Sequence, residues 1–239
     1  LKDELQIGEI RIDIVRKDIK NMHLAVYPPT GRVRIAVPLY VKEEAIRLFA
    51  ISKLGWIKRH QRSFAEQERV PPREFLERES HYFQGRRYLL RIKETTGPAR
   101  VEHTGVKHLD IYAKPDADVA YLERTLNAWY RAQLKAILPE MIAHWEQKMA
   151  IQVADWGIKR MKTKWGSCNI EARRIWLNLE LAKKPLSCLE YILVHEMVHF
   201  FERHHNDRFR AHMDRFLPHW EQARSELNRL PVSHADWGY

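Results

Sequence analysis

Cysteine is scarce in this chain: Cys168 and Cys188 are its two cysteines among 239 residues. That count excludes a disulfide-stapled scaffold, and reduced thiols in a cytoplasm are expected. The two are far apart in sequence, so a cysteine-based metal site is not expected either. No apolar run approaches the roughly 20 residues that a membrane-spanning helix needs, and no membrane partner is expected. The opening residues carry no signal-peptide pattern. Glycine is also thin, at 9 residues, and no Gly-rich loop of the kind that cradles phosphates is present. Internal repeats and low-complexity segments are lacking, which sets aside solenoids and disordered linkers.

What is present is the composition of an ordinary globular protein, 45% hydrophobic and 30% charged, with length for one large domain or two modest ones. Lys and Arg number 41 against 31 Asp and Glu, a formal net charge of +10. Such an excess favours acidic partners, nucleic acid or a nucleotide first among them. Two concentrations stand out: Lys58, Arg59, His60 and Arg62, and then Lys159, Arg160, Lys162, Lys164, Arg173 and Arg174 against a single Glu171. Neither has the recognition-helix pattern of a DNA-binding motif, and most basic residues along the chain must simply be solvated.

Residues 7–41 alternate in the manner of strands, through Ile10, Ile12 and Ile14, then Leu24 and Val26, then Val33, Ile35 and Val37. Pro28-Pro29-Thr30-Gly31 reads as a turn, and a helix over 43–67 is closed by Pro71-Pro72. Tyr82 to Leu90 reads as a hairpin, with further strands near 90–93 and 109–112. A long helix is expected over 118–149, with Leu122, Leu126, Trp129, Leu134, Leu138, Ile142, Trp145 and Met149 on one core-facing stripe. Pro139 is where it would kink or divide. Two strands follow, around Trp165-Gly166-Ser167-Cys168 and Ile175-Trp176-Leu177-Asn178-Leu179. They either form the wall of a cleft, to whose edge an extended peptide could add, or merely pack. Pro231–Tyr239 reads as an exposed tail. The organisation is thus α+β: a β-rich module with one helix over residues 1–115, and a second domain over 116–239.

His195-Glu196-Met197-Val198-His199 decides the functional reading. Two imidazoles four residues apart on a helix share a face, one turn apart. Both can then reach one metal ion, while the adjacent carboxylate sits where a water can be deprotonated. Zinc is the expected ion, because it accepts imidazole and tolerates an open fourth position. The helix is expected to begin at Ser187, with Glu190 completing an S-x-x-E capping box and Pro185 just ahead. Leu189, Ile192, Leu193, Val194, Val198, Phe200 and Phe201 make it mostly buried, where unpaired imidazoles would be costly.

A third ligand is needed, and His204, His205, His212 and His219 all follow. Spacing leaves that choice open. Glu202 lies about 10.5 Å from His195 along a straight helix and reads as rim. His205 reaches the ion only if the chain breaks after about Arg203 and turns back. Asn206 and Asp207 supply cap chemistry there, and Phe209, Met213, Phe216 and Leu217 begin a new amphipathic helix.

On these residues the chain resembles the YgjP-like metallopeptidases, relatives of the SprT and WLM zincins. The likeness is carried by Lys164-Trp165-Gly166-Ser167-Cys168, Leu177-Asn178, Leu181, Pro185, Val194-His195-Glu196, His199, His205 with Phe209, and Pro218 with Trp220. It extends more weakly to Trp56-Ile57, Gly85 and Tyr88. The resemblance implies a small zincin-like catalytic domain behind the β-rich module. It also implies that His195, His199 and His205 hold one zinc per chain and that Glu196 is the catalytic base. Phe200-Phe201-Glu202, directly after the motif, departs from the family pattern and leaves the helix end open.

The expected activity is hydrolysis of a peptide or protein substrate, with Arg160, Lys164 or Tyr191 as the donor that stabilises the oxyanion. Two other readings compete. One is a phosphoanhydride hydrolase, in which the basic stretch at 159–174 grips a nucleotide. The other is a nucleic-acid-associated protein with a structural zinc.

Overall fold

Alternating apolar residues build the first sheet. β1 (Asp3–Ile7) and β2 (Ile10–Lys17) pair antiparallel, as do β3 (His23–Tyr27) and β4 (Arg32–Pro38), and β2 joins β4 in parallel, for an order of β1-β2-β4-β3. Period-two spacing sends Ile10, Ile12 and Ile14 with Val33, Ile35 and Val37 to one buried face. They share a core with Ile46 and Ala50 of α1 (Glu43–Ser52) and Ile57 of α2 (Leu54–Glu66). The single helix expected here is two. Lys53, at φ −105° and ψ 2°, closes α1 with its N–H on the Ala50 carbonyl, and the weak helix former Gly55 follows. A short strand, β5 (Arg69–Val70), comes next.

The computed structural model of the protein describes residues 3–27, 30–66, 69–70, 74–161, 164–229 and 232–233. Pro28 and Pro29 of the first expected turn, the Pro71-Pro72 stop, Lys162 and most of the expected tail lie outside these residues.

In the second unit, β6 (Ser80–Phe83) and β7 (Arg86–Glu94) form the expected hairpin, with Gln84 and Gly85 both at positive φ (47° and 77°). That is the backbone of a tight two-residue hairpin turn. β8 (Arg100–Thr104) and β9 (His108–Ala113) complete a sheet of order β6-β7-β9-β8. On one face Arg91, Lys93 and Thr104 all bond the buried carboxylate of Asp110.

α3 (Val119–Met149) runs 31 residues without a break, capped by the Asp118 side chain, which accepts from the Tyr121 N–H at 2.6 Å. Pro139 lies inside the helix and does not divide it. Leu122, Leu126, Tyr130, Leu134, Leu138, Ile142, Trp145 and Met149 form its buried stripe. Trp129 and Ile137, at the margin, are half-buried.

A small sheet follows in the order β10-β12-β11, from β10 (Asp155–Lys159), β11 (Gly166–Asn169) and β12 (Arg174–Asn178). β11 and β12 are the two expected strands. β10, parallel to β12, was not evident, since Trp156 and Ile158 alone supply its apolar alternation. A 3₁₀ turn (Leu179–Lys183) leads to α4 (Leu186–Val198), and α5 (Asp207–Phe216) and α6 (Trp220–Arg229) pack against it. Finally β13 (Val232–Ser233) pairs in parallel with β5, so two residues of the expected tail are in a strand.

Packing divides the chain at 71/72, not near 115: Leu1–Pro71 with Pro231–Tyr239 is one compact unit, and Pro72–Leu230 is the other. Tyr88, Leu90, Leu109 and Ile111 of the second sheet belong to the same buried cluster as α3 and α4. A β-rich stretch looks alike in sequence whichever core it joins.

Candidate metal centre

α4 carries the histidine pair, and it is buried around nearly its whole circumference: Cys188, Leu189, Tyr191, Ile192, Leu193, Val194, Glu196, Met197 and Val198 are all buried. It starts two residues earlier than the capping box would require. Pro185 occupies the cap position, with no side-chain cap bond, and Ser187 falls in the first turn, its hydroxyl 3.3 Å from Glu226 Oε2. Glu190 instead accepts from the Trp145 indole at 3.1 Å, joining α4 to α3.

The helix ends at Val198, earlier than the break expected near Arg203. His199 is its C-cap, and the N–H groups of Phe201 and Glu202 both reach the Val198 carbonyl. No glycine is involved. The Asn206 side chain accepts from the Phe209 N–H at 3.0 Å and starts α5. This reversal brings His205 back: its Nε2 lies 3.0 Å from His195 Nε2. One ring nitrogen each of His195, His199 and His205, able to act as a metal ligand, falls within 4.8 Å of the other two. Phe209 packs beside all three imidazoles at ring-centroid distances of 4.7–4.9 Å.

The donor set fits a metal ion. Tetrahedral ligation at 2.0–2.1 Å would separate nitrogens by about 3.3 Å, within reach of small ring movements here. Burial, with the neighbouring His199 and His205, pushes His195 down to about 3, and burial also lowers His199 and His205. The imidazoles are therefore neutral, the form that offers a lone pair. His199 Nδ1 lies 3.1 Å from the Glu202 carbonyl, an outward bond that directs Nε2 toward its two partners.

Glu196 is 6% exposed. Burial pushes its carboxyl up to about 7 against the opposing charge of Lys164. It opens with the histidines into a cleft of about 740 Å³, walled by residues 164–171 on one side and by Tyr191, Ile192 and Arg203 on the other. The Asn178 amide holds the carbonyls of Met161 and Lys164 at 2.8 and 2.7 Å, and its backbone N–H bonds Trp165. Those bonds place β11, an edge strand, along the cleft.

A family model for the YgjP-like metallopeptidase domain matches residues 20–230. The chain belongs to the YgjP-like metallopeptidase family. Membership of a YgjP-like metallopeptidase family implies a bound metal. No curated protein matches the chain. Among solved structures, the crystal structure of the metallopeptidase zymogen of Pyrococcus abyssi abylysin aligns with 40% of this chain and 100% of its own, at 17% identity and a TM-score of 0.36, a likeness too slight to carry weight.

Of the three expected oxyanion donors, this YgjP-like chain brings Lys164 and Tyr191 to the cleft wall. Arg160 is not there: its guanidinium pairs with Glu123 at 2.9 Å on α3, away from the cleft. Three more residues of the basic stretch have partners within the chain. Lys159 lies over the Trp176 ring, Arg173 bonds the Gln152 carbonyl, and Arg174 faces Asp155 at 3.9 Å. The expected nucleic-acid or nucleotide partner has no support in this arrangement. Among the described residues no helix is long and apolar enough to cross a membrane. Spacing gave no sign of the Glu202 carbonyl or of Arg203 at the site. Phe209 was legible as apolar but not as a neighbour of the histidines.

Proposed function

We propose that the protein is a zinc-dependent metallopeptidase in which His195, His199 and His205 hold the ion and Glu196 is the general base. The observation that carries this reading is the convergence of three neutral imidazoles with one buried carboxylate in a cleft that runs along an edge strand. When bound, zinc would supply Lewis acidity, acidifying a water and polarising the scissile carbonyl. Glu196, with a carboxyl near neutrality, accepts a proton from the attacking water and delivers it to the leaving amine. Tyr191 and Lys164 are the donors at hand for the developing oxyanion. An extended peptide would add to the free edge of β11 through main-chain hydrogen bonds.

A structural zinc usually closes with four protein ligands, and three gather among the described residues, which favours an open catalytic site. Of the basic residues on which a phosphoanhydride reading would rely, Lys159, Arg160, Arg173 and Arg174 have partners elsewhere in the chain. The test is metal content by mass spectrometry, with casein hydrolysis, on wild type, His205→Ala and Glu196→Gln. One zinc per chain, lost in the first variant and kept without turnover in the second, is expected. A zinc-free wild type, or an active Glu196→Gln, overturns the reading.

A further inference from the structure

The Glu196 carboxylate is held by no hydrogen bond or ion pair among the described residues, although it is 6% exposed. Shape must therefore place it. The shape is that of β11, whose register with β12 pairs Gly166 with Leu177 and Cys168 with Ile175. Leu177 and Ile175 are fully buried, so Gly166 and Cys168 share the strand face turned toward the core. A Cβ at position 166 would lie 2.6 Å from Glu196 Oε1, 2.7 Å from its Cγ and 2.9 Å from its Cδ. No real Cβ tolerates such distances. The negative charge of Glu196 also contributes, after burial, to raising the Cys168 thiol, which sets the carboxylate alongside this strand.

The backbone does not call for glycine there. Gly166 is not among the glycines at positive φ, so an alanine is compatible with its backbone, and glycine in a strand weakens it. We propose that Gly166 is a positioning residue for the catalytic carboxylate: its missing side chain is the space that the carboxylate occupies. The proposal rests on the reading of Glu196 as general base. The three nearest atoms to the added Cβ all belong to the flexible Glu196 side chain, from Cγ to Oε1, and none to backbone. Gly166→Ala should therefore leave the fold and the histidines in place and displace the carboxylate alone.

The experiment is a double-mutant cycle on the full chain, comparing Gly166→Ala in the Glu196 and the Glu196→Ala backgrounds. Zinc content, casein turnover and melting temperature are read in each. With Glu196 present, Gly166→Ala should keep its zinc and lower kcat on the order of 100-fold, KM changing far less. It should also lower the melting temperature by about 3 °C. With Glu196→Ala, where the space is vacated, the same substitution should leave the melting temperature unchanged or raise it. Equal temperature shifts in the two backgrounds would overturn the proposal, whatever Glu196 does chemically. Coupled shifts with full turnover in Gly166→Ala would overturn it as well, since placement would then not matter. Loss of turnover in Glu196→Gln is a separate reading and tests the base itself.

Discussion

His199 Nδ1 lies 3.1 Å from the carbonyl oxygen of Glu202, three residues further along and beyond the helix end. The bond is made to backbone, so it depends on the path of the chain rather than on the Glu202 side chain. That path is fixed in turn by the Glu202 carboxylate, which accepts the His204 N–H at 3.0 Å. The same short segment thus orients one imidazole and returns another to the site.

Glu202→Ala is expected to loosen this segment and to weaken metal binding about 10-fold, the lower end of what outer partners of ligating histidines contribute. Competition against a chromophoric chelator would measure it. An unaltered affinity would mean that the backbone holds its course without the carboxylate.

Asn178, only 4% exposed, satisfies the carbonyls of Met161 and Lys164 and caps the 3₁₀ turn through the Glu180 N–H. Asn178→Ala leaves several backbone groups unmatched at once. A loss of about 2–3 kcal/mol is expected, seen as a melting temperature lower by about 6 °C, with reduced turnover because the edge strand loses its anchor. Full stability in this variant would show that water replaces the amide.

Asp110 is wholly inaccessible, and the Arg91 and Lys93 cations with the Thr104 hydroxyl outweigh its burial and hold its carboxyl far below the usual carboxylate range. A depressed carboxylate contributes stability that is full above its unfolded pKa of about 3.9 and is lost as pH falls toward the folded value. Asp110→Asn should cost about 3 kcal/mol at neutral pH, and the gap to wild type should shrink below pH 4. A gap that does not vary between pH 7 and pH 3 in denaturant titrations would contradict this account.

Elements set by spacing were legible in the sequence. Ile10, Ile12 and Ile14 declared a strand, and Leu122, Leu126, Leu134 and Leu138 a long helix. His195 and His199 declared one face of another. Each of these depends on a period that local geometry imposes. The return of His205 depends on where a helix stops without glycine or proline, and the stop is made by backbone bonds to Val198 that no residue type announces. Ser187 and Glu190 matched a capping pattern, but Trp145 and Glu226 competed for their side chains. Arg160 was close in sequence to the cleft residues, and a carboxylate on α3 drew it off. What spacing alone could not decide, contacts between distant segments did.

The tip of the β6–β7 hairpin bonds the turn before α4: the N–H groups of Gln84 and Gly85 donate to the carbonyls of Ala182 and Lys183. A Cβ on Gly85 would stand 2.6 Å from Pro185. Sheet and histidine helix are therefore one cooperative body, and the smallest fragment able to fold must begin before that hairpin. A piece cut at residue 116 would present the α3 stripe to water and leave the start of α4 without its abutment. Amide exchange at residues 84 and 85 would then report on the integrity of a cleft to which neither residue contributes a side chain.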